Sequence, residues 1–146
     1  MALLSPAARQ GTGPLARLMR EGGLYCVFQP LADLREGQVY AHEALIRGPQ
    51  NTPLHTPDKL LELARHEGIL QDFELLCVYT AMEQWGRHDA PGRLFVNISA
   101  DALVHGVQLI GATELGNTVR SLGLSARMLV LEITESIFLG DGEAND

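Results

Sequence analysis

The run Met128-Leu-Val-Leu-Glu-Ile-Thr134 constrains the fold most, being apolar almost throughout and interrupted only by Glu132. Such a run reads as a strand buried on both faces, which is the habit of parallel sheets covered by helices. Parallel neighbours need crossover connections of a dozen residues or more, so helical segments must separate the strands.

The chain supplies them in order. Leu15 to Glu21 reads as a short helix ended by Gly22-Gly23, and Met1 to Pro14, punctuated by Gly and Pro, as a flexible tail. Leu24 to Leu34 follows as a strand, with Pro30 where an edge or a bulge tolerates a missing donor. Asp33 to Gln38 is a hairpin turn into a second strand, Tyr40 to Ile46, which Gly48-Pro49 stops. Thr56 and Pro57 then make a helix start, with Leu60, Leu63 and Ala64 at helical spacing and Gly68 as the stop. A second helix opens at Asp72 and carries Phe73, Leu76, Cys77, Thr80, Ala81 and Gln84 on its apolar side. Arg93 to Ser99 is a strand with Phe95, Asn97 and Ser99 on one face; a helical turn over Ala100 to Gly106 and a helix over Thr113 to Leu122 precede the last strand. After the opening hairpin, strands and helices alternate in the manner of an α/β fold. Four strands fit either a small open sheet or the front half of a (β/α)8 barrel, which takes about 250 residues in full.

Charge and cysteines narrow the partners. Eighteen acids against 11 bases give a net charge of −7, which argues against binding a nucleic acid polymer or an anionic membrane. No run is long and apolar enough for a signal-peptide core or a membrane span, so a cytoplasmic setting is expected for this segment. Cys26 and Cys77 lack metal-site spacing and read as buried free thiols.

Glu43, Asn97 and Glu132 each fall near the C-terminal end of a strand, the edge where parallel β/α sheets bind ligands. Two carboxylates and an amide oxygen suit Mg²⁺ or Mn²⁺, and such an ion promotes hydrolysis of a phosphodiester. Arg47, on the same strand face as Glu43 and Leu45, offers a planar fork for phosphate oxygens. Each residue also has a plainer role open to it. Glu43 and Arg47 could form a solvated ion pair, Asn97 could satisfy a sheet end, and Glu132 could belong to a structural salt bridge, since a carboxylate in an apolar strand needs a partner. Glu135 reads as a supporting or capping group, and His42, His55, His66, His88 and His105 as packing or surface residues.

Four motifs stand in a characteristic order: Phe28-Gln29-Pro30, Glu43-Ala44-Leu45-Ile46-Arg47, Phe95-Val96-Asn97-Ile98-Ser99 and Leu131-Glu132-Ile133-Thr134-Glu135. In these the chain resembles the EAL-domain family, phosphodiesterases that cut the bacterial second messenger cyclic di-GMP to its linear form. The resemblance implies a TIM-like (β/α)8 barrel opening with an antiparallel hairpin. It implies Glu43, Asn97 and Glu132 as metal ligands, Glu43 as catalytic, and Gln29, Leu45 and Arg47 as substrate-binding. It covers about Leu15 to Phe138 and resembles the first part of an EAL domain over residues 15–146. The Asp-Asp-Phe-Gly segment, lysine, glutamate and glutamine that complete the family's site do not follow, so the segment alone is expected to be inactive. Gly48-Pro49 also replaces the large apolar residue that often trails the family's arginine. A homodimer or further signalling domains are the partners such modules take. A degenerate module that binds cyclic di-GMP or a protein without turnover is the alternative reading, and a small α/β interaction domain is a third.

Overall fold

The computed structural model describes residues 4–88 and 92–134. Its elements are α1 (Pro6–Gln10), α2 (Pro14–Glu21), β1 (Tyr25–Asp33), β2 (Gln38–Arg47), α3 (Pro57–His66), α4 (Leu70–Arg87), β3 (Arg93–Ile98), α5 (Ala100–Ile110), α6 (Ala112–Ser121) and β4 (Leu129–Ile133). The strands form one sheet in the order β1-β2-β3-β4. The β1–β2 pair is antiparallel, with Gln29 opposite Glu43, and its register shifts between Leu31 and Ala32. The β2–β3 and β3–β4 pairs are parallel. An antiparallel hairpin leading into parallel β/α units is the architecture expected from the sequence, and Pro30 sits on the edge strand as its missing donor requires.

Local chemistry sets most element ends. Thr56 Oγ1 accepts from Lys59 N at 3.4 Å with Pro57 in the first turn of α3, as the sequence predicts. Gly22, at φ 77°, ends α2 in the left-handed conformation, its N–H bonded to Leu18 O. At the other end of α2 the preceding residue is Gly13, which has no side chain to cap with. There Glu67, from the end of α3, accepts from Leu15 N at 2.9 Å and Ala16 N at 3.0 Å.

Two apolar clusters hold the elements together, and α4 separates them. Phe73 and Leu76 face Leu15, Met19, Leu60 and Ile69 in the first cluster. On its other side, Val78, Ala81 and Trp85 pack against Cys26, Leu94, Val96 and Ile98 of the sheet in the second. A helix apolar on both sides is a buried helix, and burying one of these large side chains contributes roughly 1.5–3 kcal/mol. Gly106 lets α5 approach α4, since a Cβ there would lie 2.8 Å from Leu75 Cδ2.

Four expectations need correction. Residues 4–14 are not a tail: Pro6–Gln10 are helical, Ala8 is fully buried and Leu4 nearly so, because both join the first cluster. The strand β4 is not buried on both faces; Leu129, Val130 and Leu131 are half-buried and Glu132 and Ile133 exposed. Ser99 leaves β3 to cap α5, its Oγ accepting from Ala102 N at 3.1 Å, so it does not share the face of Asn97. Finally, α5 runs on to Ile110 rather than ending as a single turn.

Candidate functional site

The register places the predicted residues. Gln29 is opposite Glu43, Glu43 is beside Phe95, and Asn97 is beside Glu132. Side chains alternate along a strand, and residues two apart share a face. Gln29, Glu43, Asn97 and Glu132 therefore project from the same face of the sheet, the one turned away from α4. The helix-facing positions, Cys26, Ala44, Val96 and Ile98, carry the second core cluster instead. Gln29, Asn97 and Glu132 are exposed and Glu43 is half-buried, so the face is open to a ligand.

Two of the three proposed ligands touch. Asn97 Nδ2 donates to Glu43 Oε2 at 2.8 Å, bridging β2 and β3. With the amide nitrogen committed there, the amide oxygen is the atom left for a cation. Glu132 is the register neighbour of Asn97 on the far side from Glu43. Among the described residues, no three His, Cys, Asp or Glu side chains gather within reach of one ion. A set of two carboxylates completed by Asn97 is still chemically suited to a hard divalent cation.

Arg47 lies apart from this group. Four residues of extended chain put it roughly 13 Å beyond Glu43. Its Nη1 donates to Ile46 O at 2.8 Å, which leaves its other N–H groups for a ligand. The solvated Glu43–Arg47 ion pair is thus not formed. Next to Arg47 the chain folds back sharply, because Gly48 N donates to His55 O at 3.0 Å. A Cβ on Gly48 would lie 1.8 Å from Leu54 O, so a larger residue would have to displace that carbonyl.

The backbone ladder between β2 and β3 spans only Ala41 to Glu43, whereas β1–β2 continues to Arg47 and β3–β4 to Ile98. Past Glu43 a cavity of about 260 Å³ opens, lined by Leu45 and Ile46 of β2, Val96 and Asn97 of β3, and Cys26 and Cys77 behind. Burial pushes the Cys26 thiol up to about 12, with Arg47 opposing, and lifts Cys77 well above its usual range. Thiols of that kind are poor nucleophiles and poor metal ligands.

Sequence reasoning missed the residues that hold β3 in place. Glu74 of α4 is almost fully buried, yet its Oε1 accepts from Ser99 N at 2.8 Å and its Oε2 from Ser99 Oγ at 2.7 Å. Burial raises its pKa, and the bonds from Ser99 act against that rise. Nearby, Asp72 is buried and accepts from Ser5 Oγ, and His105 Nε2 lies 3.0 Å from Asp72 Oδ1. These two carboxylates tie α1, α4 and α5 together. The signal was present: the argument that a carboxylate in an apolar run needs a partner, applied to Glu132, holds for Glu74 instead. Acids are common in a helix's first turns, so Asp72 and Glu74 carry no local mark of their burial. Glu135 and the acidic residues from Asp141 onward lie outside the described residues.

The comparisons with known proteins bear on the family and the fold. A family model described as "EAL domain" matches residues 14–145. The chain is 33% identical over 129 residues to the cyclic di-GMP phosphodiesterase PA2567 of Pseudomonas aeruginosa, covering 85% of the chain but 21% of that protein. The Xanthomonas citri FimX EAL domain in complex with c-diGMP superposes with a TM-score of 0.67 at 20% identity, covering 88% of the chain and 50% of that structure. A manganese/cy-diGMP complex of Klebsiella pneumoniae BlrP1 superposes with a TM-score of 0.63 at 20% identity, covering 84% of the chain and 32% of that structure. The fold is therefore that of the first strands and helices of a TIM-like barrel, and the chain spans about a fifth of the curated relative and half of the FimX domain.

Proposed function

Because the chain belongs to the EAL domain family, we propose that it forms the part of a cyclic di-GMP phosphodiesterase that carries Glu43, Asn97 and Glu132 as metal ligands and Gln29, Leu45 and Arg47 as substrate contacts. The observation that carries this reading is the 2.8 Å bond from Asn97 to Glu43 on the open sheet face, with Gln29 and Glu132 in register on either side.

A Mg²⁺ or Mn²⁺ held there would polarise the phosphodiester and make water a stronger acid. The protein's own groups do the remaining work. Asn97 holds Glu43 in one orientation, so the carboxylate needs little reorganisation to meet a cation. Arg47, preset by its bond to Ile46 O, offers its remaining N–H groups to phosphate, and the local positive charge matters in a chain whose net charge is −7. Gln29 lies opposite Glu43, within reach of the same ligand, and Leu45 adds an apolar wall.

The test is hydrolysis of cyclic di-GMP to linear pGpG by the full-length polypeptide, resolved by chromatography with and without Mn²⁺. Turnover that needs the cation and falls at least about 100-fold in Glu43→Gln is expected. Equal turnover by Glu43→Gln, or without any divalent ion, refutes it. A second reading is binding without turnover, with Gln29, Leu45 and Arg47 holding the ligand on the open sheet face. It predicts saturable cyclic di-GMP binding and no pGpG.

A further inference from the structure

A cavity of about 590 Å³ lies on the far side of α4 from the sheet, framed by α1, α2 and α4, and plays no part in the proposed hydrolysis. Its volume is typical of small-molecule sites, which run from about 300 to 1,000 Å³. Its walls combine two kinds of chemistry. The floor is apolar, with Leu4, Met19 and Leu76 nearly buried. The rim carries Arg9, Arg20 and Arg87, three of the 11 basic residues of a chain whose net charge is −7.

These guanidinium groups are not equivalent. Arg87 is neutralised by Glu83, the one acid among the described residues of the rim, through contacts of 2.8 and 2.5 Å. Arg20 is held in place by Nη1, which donates to Ala8 O at 3.0 Å and Gly11 O at 2.7 Å, so its charge is fixed, with no acid partner among the described residues. The side chain of Arg9 is exposed and engages no partner among the described residues. Two cations without an acid partner among the described residues, above an apolar floor, match one ligand chemistry, an apolar body ending in a single anionic head. From this we infer that the cavity is a binding site for a small amphipathic anion such as a medium-chain carboxylate. The cavity also reaches the sheet mechanically, since Gln84 on its wall accepts from Cys26 N of β1 at 2.6 Å. The inference does not depend on the hydrolase reading.

Octanoate is the probe, and the methyl signal of Met19 in ¹³C-methyl-methionine protein is the reporter, with Met82 in the other core cluster as the internal control. A saturable shift of Met19 and not of Met82 is expected. 1-Octanol, with the same chain and no charge, should bind at least tenfold more weakly. Arg9→Glu should weaken octanoate at least tenfold, whereas Arg17→Glu, the same charge change on α2 outside the cavity, should alter it less than twofold. Raising ionic strength should weaken octanoate and leave octanol unchanged. Absence of a Met19 shift at millimolar octanoate, or equal affinity for octanol, overturns the assignment. So does adsorption to phosphatidylglycerol vesicles without any response to free octanoate.

Discussion

Removing the carboxylate of Glu74 should loosen the end of β3. Both of its oxygens accept from Ser99, the residue that begins α5 and stands two positions after Asn97. In Glu74→Ala the Ser99 N–H is left buried without an acceptor and the cavity stays unfilled. Loss of hydrogen bonds to a charged group costs about 1.5–3 kcal/mol, so a total near 3 kcal/mol is expected, or roughly 10 °C in Tm for a chain of this size. Glu74→Gln keeps one acceptor and can donate to the Ser99 hydroxyl, which limits its cost to about 1 kcal/mol. The two variants separate further by pH. Burial raises the folded pKa of Glu74 above its ordinary 4.5. Between those two values the unfolded chain holds fewer protons than the folded one, so this group's contribution to stability is largest at low pH and declines as pH rises through the window. The glutamine variant lacks that slope. Urea melts from pH 4 to 8 should therefore show Glu74→Gln most destabilised relative to the parent at the acid end, the gap narrowing upward. A gap that stays constant, or a Glu74→Ala cost below about 1 kcal/mol, refutes the reasoning.

Three further outcomes follow from the same contacts. Glu67→Ala removes the acceptor for Leu15 N and Ala16 N and should cost about 1–2 kcal/mol, with α2 fraying first in hydrogen exchange. Gly48→Ala forces a Cβ against Leu54 O and should cost about 2–3 kcal/mol in a denaturant melt, despite adding only a methyl group. At pH 8 Cys26 and Cys77 should react with Ellman's reagent far more slowly in the native protein than in urea, because burial holds both thiols protonated; rapid native labelling contradicts their placement.

What could be read in the sequence was chiefly what neighbours in sequence decide. Thr56 and Pro57 start a helix with groups three residues away, and the hairpin at Asp33–Gln38 needs only its own turn. The period of two within each strand put Glu43 and Leu45 on one face and gave Asn97 its orientation. That Asn97 bonds directly to Glu43 had no sequence signal, since the two are 54 positions apart and no local pattern links them. For the same reason the N-terminal segment read as a tail. The group that orders it, Asp72 bonded to Ser5, comes from 67 positions away. The expected burial of β4 on both faces failed for a different reason. An apolar strand reads alike whether a sheet covers it on both faces or on one, so the exposure of Glu132 and Ile133 had no sequence signal.

The β2–β3 ladder ends at Glu43, and Asn97, two residues past Glu43's backbone partner Phe95, is tied to β2 by its side-chain bond to Glu43. Beyond the ladder it is this contact between side chains, rather than a continuing row of backbone pairs, that sets how far the two groups stand apart. A cation held there, as proposed above, would meet two donors whose spacing a side-chain rotation can adjust, within the span of oxygen distances from about 2.1 Å for Mg²⁺ to about 2.4 Å for Ca²⁺.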